Sequence, residues 1–147
     1  MINIRHAPLG GVTPEMLGRW YRHVPGDMAY AGTTYPRYLV WHPLDHIDYV
    51  LTAPGRTGGV SPGARLYITE ALQRSMENLL DIRVTVEEVN EGSAVVVKKV
   101  LGTSIVRLVN GFTPSPADAV AVSTMTIGDV VRRHRERVVG TVALRRY

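Results

Sequence analysis

The stretch Ala94-Val95-Val96-Val97-Lys98-Lys99-Val100-Leu101-Gly102-Thr103-Ser104-Ile105-Val106-Arg107-Leu108-Val109-Asn110-Gly111-Phe112 holds two β-branched runs separated by only Gly102-Thr103. A return that short joins antiparallel neighbours, because a parallel return needs a crossover of a dozen or more residues. Upstream, Arg83 to Val89 is set off by Asn90-Glu91-Gly92-Ser93; downstream, Ala119 to Ile127 follows the link from Gly111 to Asp118. Four such runs with short links predict an antiparallel meander. Gly128-Asp129 then leads into Val130-Val131 and an arginine-rich segment with helical potential, for which Asp129 is a suitable cap.

The first half is more varied. Thr13-Pro14-Glu15 is a helix start: threonine caps, proline suits the first helical position, and glutamate favours the positive end of the dipole. The helix should run to about His23, with Met16, Leu17, Trp20 and Val24 as its apolar stripe and Val24-Pro25-Gly26-Asp27 as its stop. Ala31 to Thr34 reads as a loop, Tyr35 to Trp41 as a first strand and Ile47 to Thr52 as a second. Ala53 to Gly63 is glycine-rich but lacks both the lysine and serine of a phosphate loop and the spacing of a dinucleotide fingerprint, and reads as a mobile connection or lid. Arg65 to Glu70 alternates like a half-buried strand, and Arg74 to Leu80 fits a helical turn or a further extended piece.

A length of 147 residues with 45% apolar content fits one domain spanning residues 1–147. The expected class is α+β: a curved antiparallel sheet whose concave face is gripped by a C-terminal helix. Such a fold encloses a pocket; Val95, Val97, Ile105, Ala121, Ser123 and Met125 suit its wall and equally suit a solid core. Without cysteine there is no disulfide and no thiolate, so a metal would have to be held by nitrogen and oxygen. No apolar run approaches membrane-spanning length and the start does not read as a secretory signal, so a cytoplasmic protein without a membrane partner is expected. The formal charge of +4 is concentrated in Arg132, Arg133, Arg135, Arg137, Arg145 and Arg146. This segment has no interleaved aromatics before Tyr147 and no reading motif, so no nucleic-acid partner is expected; an exposed helix pairing Arg132 with Glu136 accounts for it.

The chemistry concentrates in Trp41-His42-Pro43-Leu44-Asp45-His46. Imidazole and carboxylate at a strand end can hold a divalent metal or move protons, while a turn with a stacked tryptophan and solvated histidines is the plainer account. Pro43 disfavours helix at His42, which argues against two metal ligands on one helical face, so His42 and His46 should flank a turn.

Gly11 to Leu17, Trp20-Tyr21, Arg37 to Pro43 and Asp45-His46 together resemble the diacetylphloroglucinol hydrolases and their relatives. The resemblance implies a helix-grip domain of the Bet v 1 type, a zinc cofactor, hydrolysis of the carbon–carbon bond between an acyl group and a phenolic ring, and a homodimer. Carried onto this chain, it implies His46, Glu70 and His134 as zinc ligands. The family's fourth ligand, a glutamate, falls on Val138, and Glu136 lies on another side of a helix from His134. That departure leaves open a three-ligand site, a lost metal or a diverged activity. A zinc held by two histidines and a carboxylate keeps a position for water or substrate. Tyr38, His42 and Tyr67 are then the candidate catalytic groups for proton traffic, and Asp45 is a candidate for orienting His46. Each tyrosine could instead be structural, with a satisfied hydroxyl, and Glu70 could instead pair with Arg65 or Arg83. Two functions are carried forward: a zinc-dependent hydrolase acting on an aromatic small-molecule substrate, and a metal-free pocket protein such as a polyketide cyclase or carrier; a basic adaptor that binds nucleic acid through the C-terminal arginines is a third, less favoured alternative.

Overall fold

The structure, a computed structural model, describes residues 1–115 and 118–128. The elements are β1 (Ile2–Arg5), β2 (Leu9–Gly10), α1 (Pro14–His23), β3 (Asp27–Tyr30), β4 (Thr33–Pro36), α2 (Arg37–Trp41), β5 (His46–Ala53), β6 (Arg65–Ala71), β7 (Leu79–Val89), β8 (Ser93–Val100), β9 (Thr103–Pro114) and β10 (Asp118–Ile127). One antiparallel sheet runs β1-β10-β9-β8-β7-β6-β5, with β2 also on β10, and β3–β4 form a separate hairpin. The architecture is α+β with a large antiparallel sheet. The expected gripping helix, with Asp129 as its cap, lies outside the described residues.

The meander follows the sequence reading strand by strand. Ala94 stands opposite Asn110 and Val96 opposite Leu108, while Ala121 faces Phe112 and Ser123 faces Asn110. Alternation therefore gathers Ala94, Phe112 and Ala121 on one face. There they form a core with Leu66, Val84, Val86 and Val89, and the buried Leu17 of α1 packs into it. A register shift after Val86 lets Val86 and Val89, three apart, both turn inward. The six residues proposed as one cavity wall divide: Ala121, Ser123 and Met125 share the core face, Val95 and Val97 point the other way, and Ile105 falls at a register shift.

α1 begins as expected, with the Thr13 hydroxyl accepting a hydrogen bond from the Met16 N–H at 3.3 Å. Its buried side is Leu17 and Gly18, followed by the buried Val24, while Met16 is exposed. Gly18 is required by packing: a Cβ there would stand 2.2 Å from the Asn90 carbonyl oxygen, in the turn between β7 and β8.

Three expectations change. Tyr35 to Trp41 is not a strand: β4 ends at Pro36 and residues 37–41 turn into α2. The apolar run suits either state, and tertiary contacts choose the helix, which puts Tyr38 and Trp41 three apart on one face. Tyr38 then stacks on His46, and Trp41 lies 6.2 Å from both Trp20 and Tyr21. The loop at Ala31-Gly32 is the two-residue turn of the β3–β4 hairpin, both residues having positive φ. The glycine-rich stretch is knitted by its own hydrogen bonds and joined to β7 by Gly63 N–H to Val86 O at 2.8 Å and Val86 N–H to Ala64 O at 2.9 Å. It is a fastened loop rather than an open connection. Between β6 and β7 the chain makes two short 3-10 turns, at Leu72–Arg74 and Met76–Asn78. Among the described residues no helix is long and apolar enough to cross a membrane.

Candidate functional site

The site is built where α2, the turn after it, and the adjoining ends of β5 and β6 meet. α2 stops at Trp41, ahead of Pro43, and the chain turns through residues 42–45 with His46 N–H donating to His42 O at 3.1 Å. His42 and His46 flank this turn, as the sequence indicated. His46 then opens β5 directly opposite Glu70 of β6. A register shift follows between His46 and Asp48, so His46, Tyr49 and Leu51 all turn toward the core despite the three-residue step.

Four contacts hold the centre. The Tyr38 hydroxyl donates to Glu70 Oε1 at 2.5 Å, and the Tyr38 ring lies parallel to the His46 imidazole, 3.8 Å away. His46 Nδ1 is 2.8 Å from the Tyr38 carbonyl oxygen, a pure acceptor, so Nδ1 carries the proton and Nε2 keeps its lone pair when the ring is neutral. That Nε2 stands 3.7 Å from Glu70 Oε1. The two side chains are largely covered, with 14% and 23% of their surface exposed.

The electrostatics follow from this burial. Desolvation is the chief influence on His46 and lowers its pKa; the Tyr38 carbonyl and the Glu70 carboxylate act in the opposite sense. The imidazole is thereby kept toward its neutral, electron-donating form. Burial and the Glu70 carboxylate raise the pKa of Tyr38, holding its hydroxyl protonated. Tyr49, 5.0 Å from Tyr38 between ring centres, is likewise raised by burial.

Around this centre, Asp45 ties several pieces together. Its carboxylate accepts the Arg74 N–H at 3.1 Å and lies 3.6 Å from His42 Nδ1, while its backbone carbonyl accepts the Ala71 N–H at 2.7 Å. The His42 ring is more exposed, 5.4 Å from that of His46. Asp45 thus orients His42 and the turn rather than bonding to His46 directly. Gln73 and Arg74, beside it, both adopt positive φ, a conformation disfavoured for side chains with a Cβ.

Tyr67 does not join the site. It alternates with Leu66, Ile68 and Glu70 on β6 and therefore faces the opposite side of the sheet. There it stands opposite Arg83, whose guanidinium is 5.9 Å from its ring, and the Asp81 carboxylate raises its pKa. The same alternation takes Arg65 and Arg83 away from Glu70, whose partners are Tyr38 and His46. His134 and Val138 lie outside the described residues, and among the described residues no group of three or more His, Asp or Glu side chains is arranged to hold a metal ion. His46 and Glu70 supply two suitable donors. Their 3.7 Å separation is near the roughly 3.3 Å between neighbouring ligands of one tetrahedral zinc. The donor types and the freed Nε2 fit part of a zinc shell.

Tyr49 and the backbone N–H of Arg74 were not foreseen. The half-buried pattern of β5 carries a signal for Tyr49, but strict alternation from His46 points away from it. The sequence matches no protein-family model and no curated protein.

Proposed function

We propose that this chain is a zinc-dependent hydrolase that cleaves the carbon–carbon bond between an acyl group and a phenolic ring, with His46, Glu70 and His134 as ligands. The observation that carries the reading is the His46–Glu70 pair, opposite one another across β5 and β6, with Nδ1 committed to the Tyr38 carbonyl and Nε2 left as a donor. The proposal includes a helix-grip arrangement, with residues beyond Gly128 supplying the gripping helix and His134. The resemblance adds a homodimer, and the sequence reading adds a cytoplasmic location.

When bound, zinc supplies Lewis acidity that polarises a carbonyl and makes water nucleophilic near neutral pH. The reaction adds water across the acyl–aryl bond: the acyl carbon gains the hydroxyl and the ring carbon gains a proton. Tyr38 holds a proton at its hydroxyl against Glu70, placing a donor beside the two ligands. His42, more exposed at the same end, is the group through which a proton can reach solvent.

Metal analysis of protein purified without chelator should find about one zinc per chain, and His46→Ala should lower that occupancy at least tenfold. Metal-free protein that neither takes up zinc nor changes its melting temperature on zinc addition would overturn the proposal.

A second reading rests on the Tyr38–Glu70 hydrogen bond, which satisfies one oxygen of the carboxylate from within the chain. In that reading the chain is a metal-free cyclase or carrier for aromatic ligands. It requires that a phenolic ligand quench Trp20 and Trp41 fluorescence equally with and without chelator.

A further inference from the structure

We propose that the glycine-rich loop between β5 and β6 forms, with the last turn of α1, a binding site for the phosphate group of a small molecule. It is a second site: the ends of β6 it separates from the first, Arg65 and Glu70, are about 16 Å apart along an extended strand. A cleft of about 380 Å³ lies between Arg22 and His23 on one side and residues 57–62 on the other, with Val89 at its edge. That volume exceeds the needs of a bare ion and suits a phosphorylated molecule of modest size.

The loop's hydrogen bonds leave donors over. Gly55 N–H bonds to Gly59 O, Gly58 N–H to Gly55 O, Arg56 N–H to Pro62 O, and Thr57 N–H to Ser61 Oγ. The next three N–H groups, of Gly59, Val60 and Ser61, have no acceptor among the described residues, and all three residues line the cleft. Gly58 and Gly59 both adopt positive φ, letting the chain bend tightly around this edge. Consecutive backbone N–H groups in such a turn are the usual means of holding an oxyanion.

The charge agrees in sign. Arg22 uses one guanidinium N–H on the Val89 carbonyl, at 3.3 Å, and has four more to offer. Among the described residues no carboxylate lines the cleft. A helix C-terminus disfavours anions, but two of its carbonyls are already engaged: Arg19 O by His23 Nδ1 at 2.7 Å and His23 O by Arg37 Nη1 at 3.0 Å. Arg22 and the three loop N–H groups are the groups of the cleft that suit an anion. Sequence comparison with a phosphate-binding loop misses this site because the cation comes from α1 and not from the loop.

The test is titration of the full chain with inorganic phosphate, followed by the amide resonances of Gly58, Gly59 and Val60, with sodium chloride and sodium acetate at equal ionic strength as parallel arms. Phosphate should shift these resonances saturably and the other salts should not. Arg22→Gln should weaken the response roughly tenfold. Arg107→Gln, which removes an arginine paired with Glu87 elsewhere on the sheet, should leave it unchanged. Gly59→Asp places a carboxylate in open space at a left-handed backbone position, which aspartate adopts with less strain than most residues, and should abolish the response. Shifts that fail to saturate, that acetate or chloride reproduce, or that survive Gly59→Asp overturn the proposal.

Discussion

Tyr38 carries more of the site than any other single residue. Its hydroxyl holds Glu70, its carbonyl sets the His46 tautomer, and its ring covers the imidazole face. Tyr38→Phe keeps the stack and the carbonyl but removes the bond to a carboxylate, so the folded state should lose about 1.5–3 kcal/mol, read from the urea midpoint. A variant as stable as the parent would mean the hydroxyl is not donating to Glu70. Burial also raises the pKa of Tyr21 and Tyr49 above the ordinary phenol value. The folded chain then keeps these protons after the unfolded chain has begun to release its own near pH 10. Stability from this source is fully present below that pH and is lost as pH rises beyond it. The denaturation midpoint should fall between pH 9.5 and roughly 11, and Tyr49→Phe should make the fall shallower. At this scale the sequence revealed which residue types would matter, and alternation along β6 already contained the separation of Tyr67 from Glu70. What it did not contain was the register shift that turns His46 and Tyr49 to the same side.

Elements with long apolar periodicity or explicit caps were legible: α1 from Thr13-Pro14-Glu15, and β7 to β10 from their β-branched runs and short turns. Short elements were not. β1, β3 and β4 are mostly exposed and have no buried face to impose a period. α2 is five residues whose composition favours strand, made helical by what Tyr38 and Trp41 touch. Gly18 offers a test of packing against propensity. In an isolated helix Gly→Ala stabilises by up to about 1 kcal/mol. Here the new methyl group meets the Asn90 carbonyl, and backbone cannot swing aside as a long side chain can. Gly18→Ala should therefore destabilise by roughly 1–3 kcal/mol in chemical denaturation, and a gain would mean α1 sits farther from the sheet.

Across the whole molecule, the sheet has β5 at one edge and β1 at the other, and β1 shields part of β10. Ile2 and Ile4 remain more than half exposed, so β1 contributes backbone pairing more than apolar burial. Deleting residues 1–5 should cost only roughly 1–2 kcal/mol. It should nevertheless open the edge of β10 and produce concentration-dependent association, visible by light scattering. A shortened chain that associates no more than the parent would show that β1 is not a guard strand. The antiparallel class of the sheet was readable from turn lengths alone, whereas the pairing of β1 with β10 leaves no local trace, since no periodic pattern links segments so distant.

That pairing also bears on the order of assembly. The bond between His6 and Ser123 spans 117 residues of chain, while the hairpins from β7 to β10 close over a few. Loop-closure entropy favours the short returns first, so the central strands should zip together early and the amino-terminal segment should dock last. During synthesis, β1 must wait for β10 to leave the ribosome before this pairing can form.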